Sequence, residues 1–383
     1  MNLQDCLRVV AKDYGKSRPS QVLEILKLGL GLGRITPSEY YEFGLFEDSR
    51  FSILEKQQFL GYAGQENIKK FLINDRWRIL ADDKFIFATL FQSQGFPLAR
   101  NLATYKYKPN RRASSISSLN TTDELASFLR NGVDYPFFGK PISANYGSGC
   151  IGVNALDRAA DQITLANEQI VTIDQFIEML QQYADGYLFQ ECMHPHPAIR
   201  DVCGDRIATV RIVVLIGSSG PQIHRALWKI PTGRNMTDHF LQGRSGNMIA
   251  TIDIEDGRIG RVLNGQGVNE QYLERHPDTG KRFQDFALPC WREAMELCLK
   301  AAMVLPGFRL QSWDIAICEE GPVLQEVQDG GFNILQISSR QGLLDDHLRQ
   351  CLRSANKFWR QEIALSTLEQ IPRKIYRHLY PVC

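Results

Sequence analysis

No CxxC pair occurs among the nine cysteines, neither charge is in surplus, and no long uncharged apolar run is present; each absence removes a class of function. An odd number of unpaired, scattered cysteines fits reduced thiols better than a disulfide framework or a zinc knuckle. A net charge of +1 gives no basic surplus of the kind that would make nucleic acid or an anionic membrane the default partner. The longest apolar stretches are broken by a charge or a Gly-Pro pair before the ~20 residues that a membrane helix needs. The first residues, MNLQDCLRVVAKDYGK, lack the apolar core of a signal peptide, and Cys383 stands last where a prenylation box needs its Cys fourth from the end. Neither a GxSxG elbow nor a GxxxxGK[ST] loop is present. The expected compartment is the cytoplasm, and the class is a globular protein of two or three domains.

What is present changes character along the chain. Residues 1 to about 80 show helical apolar spacing in VLEILKLGL and FLINDRWRIL, with Thr36-Pro37 opening a helix. DDKFIFATLFQSQGFPLA predicts a helix from Asp83 that stops at Gly95, and Thr122 is placed to cap another before Asp123 and Glu124. Then β-rich runs bounded by Gly, Pro and Asp take over: YPFFGKPI, CIGVNAL, GYLFQECM, IATVRIVVLIG and IHRALWKIP. WREAMELCLKAAMVL is amphipathic, with Ala294, Leu297, Cys298 and Ala301 on one side. Residues 340–370 return to helix. The order predicts an α+β protein of two or three lobes.

Three features could carry chemistry. Lys140 ends a strand-like FFGK immediately before SANYGSGCIGV, and glycines there let backbone N–H groups approach phosphate oxygens. Gly147, Gly149 and Gly152 spell GxGxxG, but VNAL after them reads as strand, so a hairpin tip is expected instead of a dinucleotide turn. An unliganded flexible tip is the alternative. Arg211 falls on a strand whose two faces are both apolar, so its guanidinium needs an anion, either an internal carboxylate or a ligand phosphate. In WDIAICEEGPVLQEVQ, a three-residue turn at Glu319-Glu320-Gly321 pairs Cys318 with Pro322 and sets Asp314 opposite Glu326. Opposed carboxylates repel, and a divalent cation between them would remove that cost; two solvated surface acids are the other possibility. His194 and His196, two apart without further ligands, are expected to be loop residues.

Taken in chain order from about Asp83 to Asn333, these pieces resemble the ATP-grasp superfamily, especially its sugar-transfer-associated branch. Asp83-Lys84 with GFPLA is similar to the family's DK…GxPxP opening, FFGKP to its second nucleotide lysine, and YGSGCIGV to its mobile phosphate loop. FQECMHP resembles the hinge strand, and WDIAI…VLQEV the hairpin with the metal acids. The resemblance implies that Lys84, Lys140, Gly147, Ser148 and Gly149 contact ATP phosphates, and that Gln190 or Glu191 sits at the hinge. It further implies that Asp314, Glu326 and Gln328 hold Mg2+, with Gln328 where the family usually has Asn. Arg211 would face the phosphate or acyl intermediate. Lys229, with Arg225, would help bind triphosphate or substrate acid.

The implied fold is two α+β lobes gripping ATP. Residues 1–82 form an N-terminal helical region, 83–190 a small lobe, 191–335 a large lobe, and 336–383 C-terminal helices. The implied reaction activates a small-molecule, sugar or peptide carboxylate as an acyl phosphate and joins it to an amine, with the polar segment GRNMTDHFLQGRSGNM recognising the acceptor. A phosphotransferase on the same scaffold and a non-catalytic nucleotide- or glycan-binding relative are the competing classes.

Overall fold

A computed structural model describes residues 2–107, 116–144 and 147–355. The N-terminal third is helical, as the apolar spacing predicts. Most of its helices begin on side-chain caps, such as Ser17 before Arg18–Leu30, and Thr36 in a reciprocal capping box with Glu39 before Pro37–Glu42. The helix predicted from Asp83 spans Lys84–Ser93, with the Asp83 carboxylate accepting from Phe85 N (2.9 Å) and Ile86 N (2.8 Å). The expected cap at Thr122 moves one residue earlier. Thr121 takes it, because the capping box needs its Glu three positions on, at Glu124.

Two seven-stranded sheets follow among the described residues. The first runs β2-β1-β7-β3-β4-β5-β6. Its strands are β1 (Asn101–Tyr105), β2 (Ser117–Leu119), β3 (Phe137–Pro141), β4 (Ile151–Asp157), β5 (Gln162–Leu165), β6 (Ile170–Thr172) and β7 (Tyr187–Glu191). Only β1 and β2 pair in parallel; the other neighbours are antiparallel. The helix Ile173–Gln181 closes a core around Phe137, Phe176 and Phe189. β3 and β4 form an antiparallel pair, and the Gly-rich segment is the connection between them. A dinucleotide turn is thereby excluded, since strand and not helix follows the glycines.

The second sheet runs β12-β11-β10-β9-β8-β13-β14 and is antiparallel throughout. It comprises β8 (Thr209–Gly217), β9 (Gly220–Ile230), β10 (Met248–Ile252), β11 (Ile259–Asn264), β12 (Gln271–Tyr272), β13 (Leu310–Cys318) and β14 (Gly321–Gln328). The amphipathic helix Trp291–Ala302 packs Ala294, Cys298 and Ala301 against it. The N-terminal helices share this core. So does Lys84–Ser93, whose Phe87 and Phe91 rings lie 6.2 and 5.4 Å from Trp313. Its Phe87 and Phe91 side packs on the second sheet, while Phe85 at its start packs on Tyr107 (5.0 Å) beside the first. The molecule is therefore α+β, two sheet lobes with an N-terminal helical region. Within the stretch 340–370 predicted to be helical, residues 346–355 are helix, preceded by the helix Phe332–Ser339, and residues from 356 on lie outside the described part. No helix among the described residues is long and apolar enough to cross a membrane.

Candidate functional site

A cavity of about 460 Å³ opens between the two sheets, lined from both sides. From the first sheet comes Lys140 near the end of β3, buried and facing the cavity. Among the described residues it forms no ion pair. Burial depresses its pKa, against the opposing pull of Glu326. An ammonium so placed calls for an anion. Lys84 enters from the first turn of its helix and donates to the Ala144 carbonyl (2.6 Å) at the base of the Gly-rich connection. Gly147 and Ser148 line the cavity. Gly147 has φ +66°, and a Cβ there would lie 2.4 Å from the His239 ring, so a larger residue would be strained and would have to push that ring aside. Gly149 turns the other way: its carbonyl accepts from Tyr187 Oη (2.5 Å), and it does not line the cavity.

From the second sheet comes a row of opposed residues across β8, β13 and β14: Arg211, Asp314 and Glu326. Lys229 on β9 joins them diagonally, two residues beyond Leu227, the partner of Arg211. Arg211 grips Asp314 with both prongs, Nε to Oδ1 at 2.8 Å and Nη2 to Oδ2 at 2.7 Å. Lys229 Nζ reaches Asp314 Oδ2 at 3.0 Å and Asp238 Oδ1 at 3.2 Å. Asp238 in turn accepts from Thr209 N (2.8 Å) and Oγ1 (2.5 Å). Burial works against all these charges, but pairing wins. Arg211 and Lys229 hold Asp314 below the usual carboxylate range, while Asp238 and Asp314 hold Lys229 above its own. Of the two partners open to Arg211, the internal carboxylate is the one observed. Its guanidinium does not line the cavity and is engaged with Asp314 instead.

The hairpin places Asp314 opposite Glu326 by a different route from the expected one. The turn has two residues, Glu319 and Glu320, pairing Cys318 with Gly321. A bulge between Ile315 and Asp314 then restores the offset. Glu326 lines the cavity and accepts from the Gln328 amide.

Glu191 and Gln190 separate cleanly. Glu191 lines the cavity and accepts from Arg100 N (2.9 Å) and Nε (3.2 Å). Gln190 points into the sheet, donating to Asn101 Oδ1 at 2.9 Å, and is not at the cavity. Arg225 is also elsewhere, binding the Gln341 and Gly342 carbonyls and Asp345. His194 and His196 are loop residues, as expected; His196 caps the helix Pro197–Cys203 through Nδ1. Asp238 and His239, between β9 and β10, are among the cavity residues that sequence did not single out individually, though they lie in the segment expected to recognise the acceptor. The polarity of their segment was the available signal. Burial, then the Lys229 charge, pushes the His239 imidazole below its ordinary pKa.

The donor set admits magnesium in part. Glu326 and the Gln328 carbonyl are hard oxygen donors at the cavity wall, suited to a cation whose other ligands are phosphates. Asp314 is already neutralised by three charged N–H contacts. Among the described residues, no three His, Cys, Asp or Glu gather into a metal cluster.

Solved structures of similar shape include the D-Ala:D-Ser ligase VanG of Enterococcus faecalis, at 13% identity and TM-score 0.41, over 74% of this chain and 63% of that one. An N5-carboxyaminoimidazole synthase of Aspergillus clavatus has 14% identity and TM-score 0.41, over 77% and 58%. A D-alanine-D-alanine ligase of Coxiella burnetii has 10% identity and TM-score 0.43, over 77% and 63%. The chain thus spans less than two thirds of the length of each. No curated protein matches the sequence. The model of one protein family, sugar-transfer associated ATP-grasp, matches residues 65–351, three quarters of the chain, and to that family this protein belongs.

Proposed function

We propose that this protein is an ATP-dependent ligase that activates a carboxylate as an acyl phosphate and joins it to an amine. The observation that carries the reading is Lys140: a buried ammonium that forms no ion pair among the described residues, facing a cavity beside a glycine tip and Lys84. A triphosphate supplies the missing anion.

In this reading Lys84, Lys140 and the backbone of Gly147 and Ser148 hold the phosphates, and Glu191 with the adjoining Cys192 and Met193 lines the nucleoside end. Magnesium carried in with the nucleotide would be held by Glu326 and Gln328 and would neutralise charge on the transferring phosphoryl group. A substrate carboxylate oxygen attacks the γ-phosphorus as the bond to ADP breaks. The amine then attacks the acyl carbon, forming the C–N bond; phosphate leaves and a proton is released. Lys229, fixed between Asp238 and Asp314, presents a set positive charge to the anionic reactants. Arg211 acts through Asp314, holding that carboxylate in place. Packing of Gly147 against His239 supports closure over the cavity, which shields an acyl phosphate from water.

A screen of amino acids and sugar acids for acid-dependent ADP release, with hydroxylamine present to trap a hydroxamate, tests the proposal. A stable phosphoester as product would assign a phosphotransferase, and nucleotide binding without turnover a non-catalytic relative.

A further inference from the structure

The helix Arg18–Leu30 buries Leu28 and carries its other three leucines outward. Leu23, Leu26 and Leu30 are 70%, 59% and 82% exposed, and Val22 and Leu32 are exposed beside them. Polar contacts on the inner side fix the helix in this rotation. The Gln21 amide donates to the Lys16 carbonyl (2.8 Å) and accepts from Tyr41 Oη (2.7 Å). Glu24 accepts from Lys56 Nζ (2.8 Å) and Tyr40 Oη (2.5 Å) and also pairs with Lys16. Rolling the helix to bury the leucines would strip these partners from Gln21 and Glu24, so the apolar face stays in solvent. Contiguous exposed apolar side chains of this kind mark contact surfaces.

The flanks identify the kind of surface. At about 100° per residue, Val22, Leu23 and Leu30 lie within about 60° of Leu26, with Arg18 to one side and Lys27 to the other. Both basic residues are exposed, and neither forms an ion pair among the described residues. Glu24, the helix's one acid, is on the inner side. An apolar stripe bordered by cations is the pattern of a helix lying in a lipid interface. A second copy of this chain is a poorer occupant, since a two-fold contact would set Arg18 and Lys27 against their own kind with no outward acid on the helix to answer them.

We propose that the outer face of the helix Arg18–Leu30 docks this protein peripherally on an anionic lipid bilayer, leucines in the acyl boundary and Arg18 and Lys27 at the headgroups. The proposal is independent of the ligase reading.

Co-sedimentation of the full chain with vesicles of phosphatidylcholine and phosphatidylglycerol in equal parts tests it, against vesicles of phosphatidylcholine alone. Binding is expected to the anionic vesicles, and to weaken as salt is raised. Leu26→Glu with Leu30→Glu should reduce it to the phosphatidylcholine level while leaving the melting temperature unchanged, since neither side chain is buried. Arg18→Ala and Lys27→Ala, which leave the leucines in place, should each weaken binding by about fivefold at low salt. Failure to bind anionic vesicles at low salt overturns the proposal, as does binding that the leucine variants retain. A dimer in free solution that the leucine variants dissociate, without vesicle binding, would assign the face to a second copy and overturn it equally.

Discussion

Asp314→Asn tests whether this carboxylate is chiefly an internal counter-ion. Asp314 is 2% exposed and accepts two contacts from Arg211 and one from Lys229, at 2.7 to 3.0 Å. The paired charges are Arg211 and Lys229 against Asp314 and Asp238. The amide removes one anion and leaves Arg211 and Lys229 facing Asp238 alone. Breaking a buried pair from one side costs about 3–5 kcal/mol, because the remaining charge stays desolvated without a partner. With an unfolding entropy of roughly 2 cal/mol/K per residue, that is a fall of about 5 °C in melting temperature for a chain of this length. Thermal melting in metal-free buffer is the assay. The sign with pH also follows. Pairing depresses the folded-state pKa of Asp314, so its contribution is fully present above the ordinary carboxylate range and is lost only as pH falls through the depressed value. The difference between wild type and variant should therefore stay constant from neutral pH down to about 5. A variant that melts within a degree of wild type would refute the counter-ion reading and leave Asp314 free for a metal.

Glu326→Gln should behave oppositely, since Glu326 forms no ion pair among the described residues and its observed hydrogen bond is with Gln328: little change in melting, but ATP turnover reduced by orders of magnitude where the residue holds magnesium. Lys140→Met should weaken ATP binding roughly ten- to a hundred-fold, the worth of a charge-assisted phosphate contact, measured by calorimetry. Because it removes a buried ammonium that forms no ion pair among the described residues, it should not lower the melting temperature, and unchanged ATP affinity would end the phosphate role. His224 is buried, its Nε2 has no hydrogen-bond partner, and it faces Asp345, Arg225 and His347. Burial lowers its pKa to about 4, so the unfolded chain takes up the proton first as pH falls. Stability should drop between pH 6.5 and 4 by about 3 kcal/mol, and His224→Leu should flatten that limb of a melting-versus-pH curve.

The elements were legible because local patterns specify them. Strand-like FFGK, then glycines, then CIGVNAL determined a hairpin tip and not a strand-to-helix turn, and the structure agrees. Asp83, Gly95 and the stripe of Ala294, Cys298 and Ala301 marked helices for equally local reasons. The order of motifs along the chain was enough to point to the family. Tertiary structure decided what each charge faces. Two apolar strand faces established that Arg211 needed an anion, but pairing β8 with β13 chose Asp314 for it. Counting from the turn brought Asp314 to Glu326 only because a shorter turn and a bulge, neither readable from the residues, cancel each other. Gln190 and Glu191 alternate across one strand, and the sheet's neighbours decided which faces the cavity. Asp238 and His239 reach the site on a segment without periodicity. Leu23, Leu26 and Leu30 make the same point: their spacing is helical, but the polar contacts of Gln21 and Glu24, formed across 14 to 32 residues, turned them to solvent. Period and capping act within a few residues and can be read directly, whereas ion pairs and exposure depend on which distant segments fold against each other.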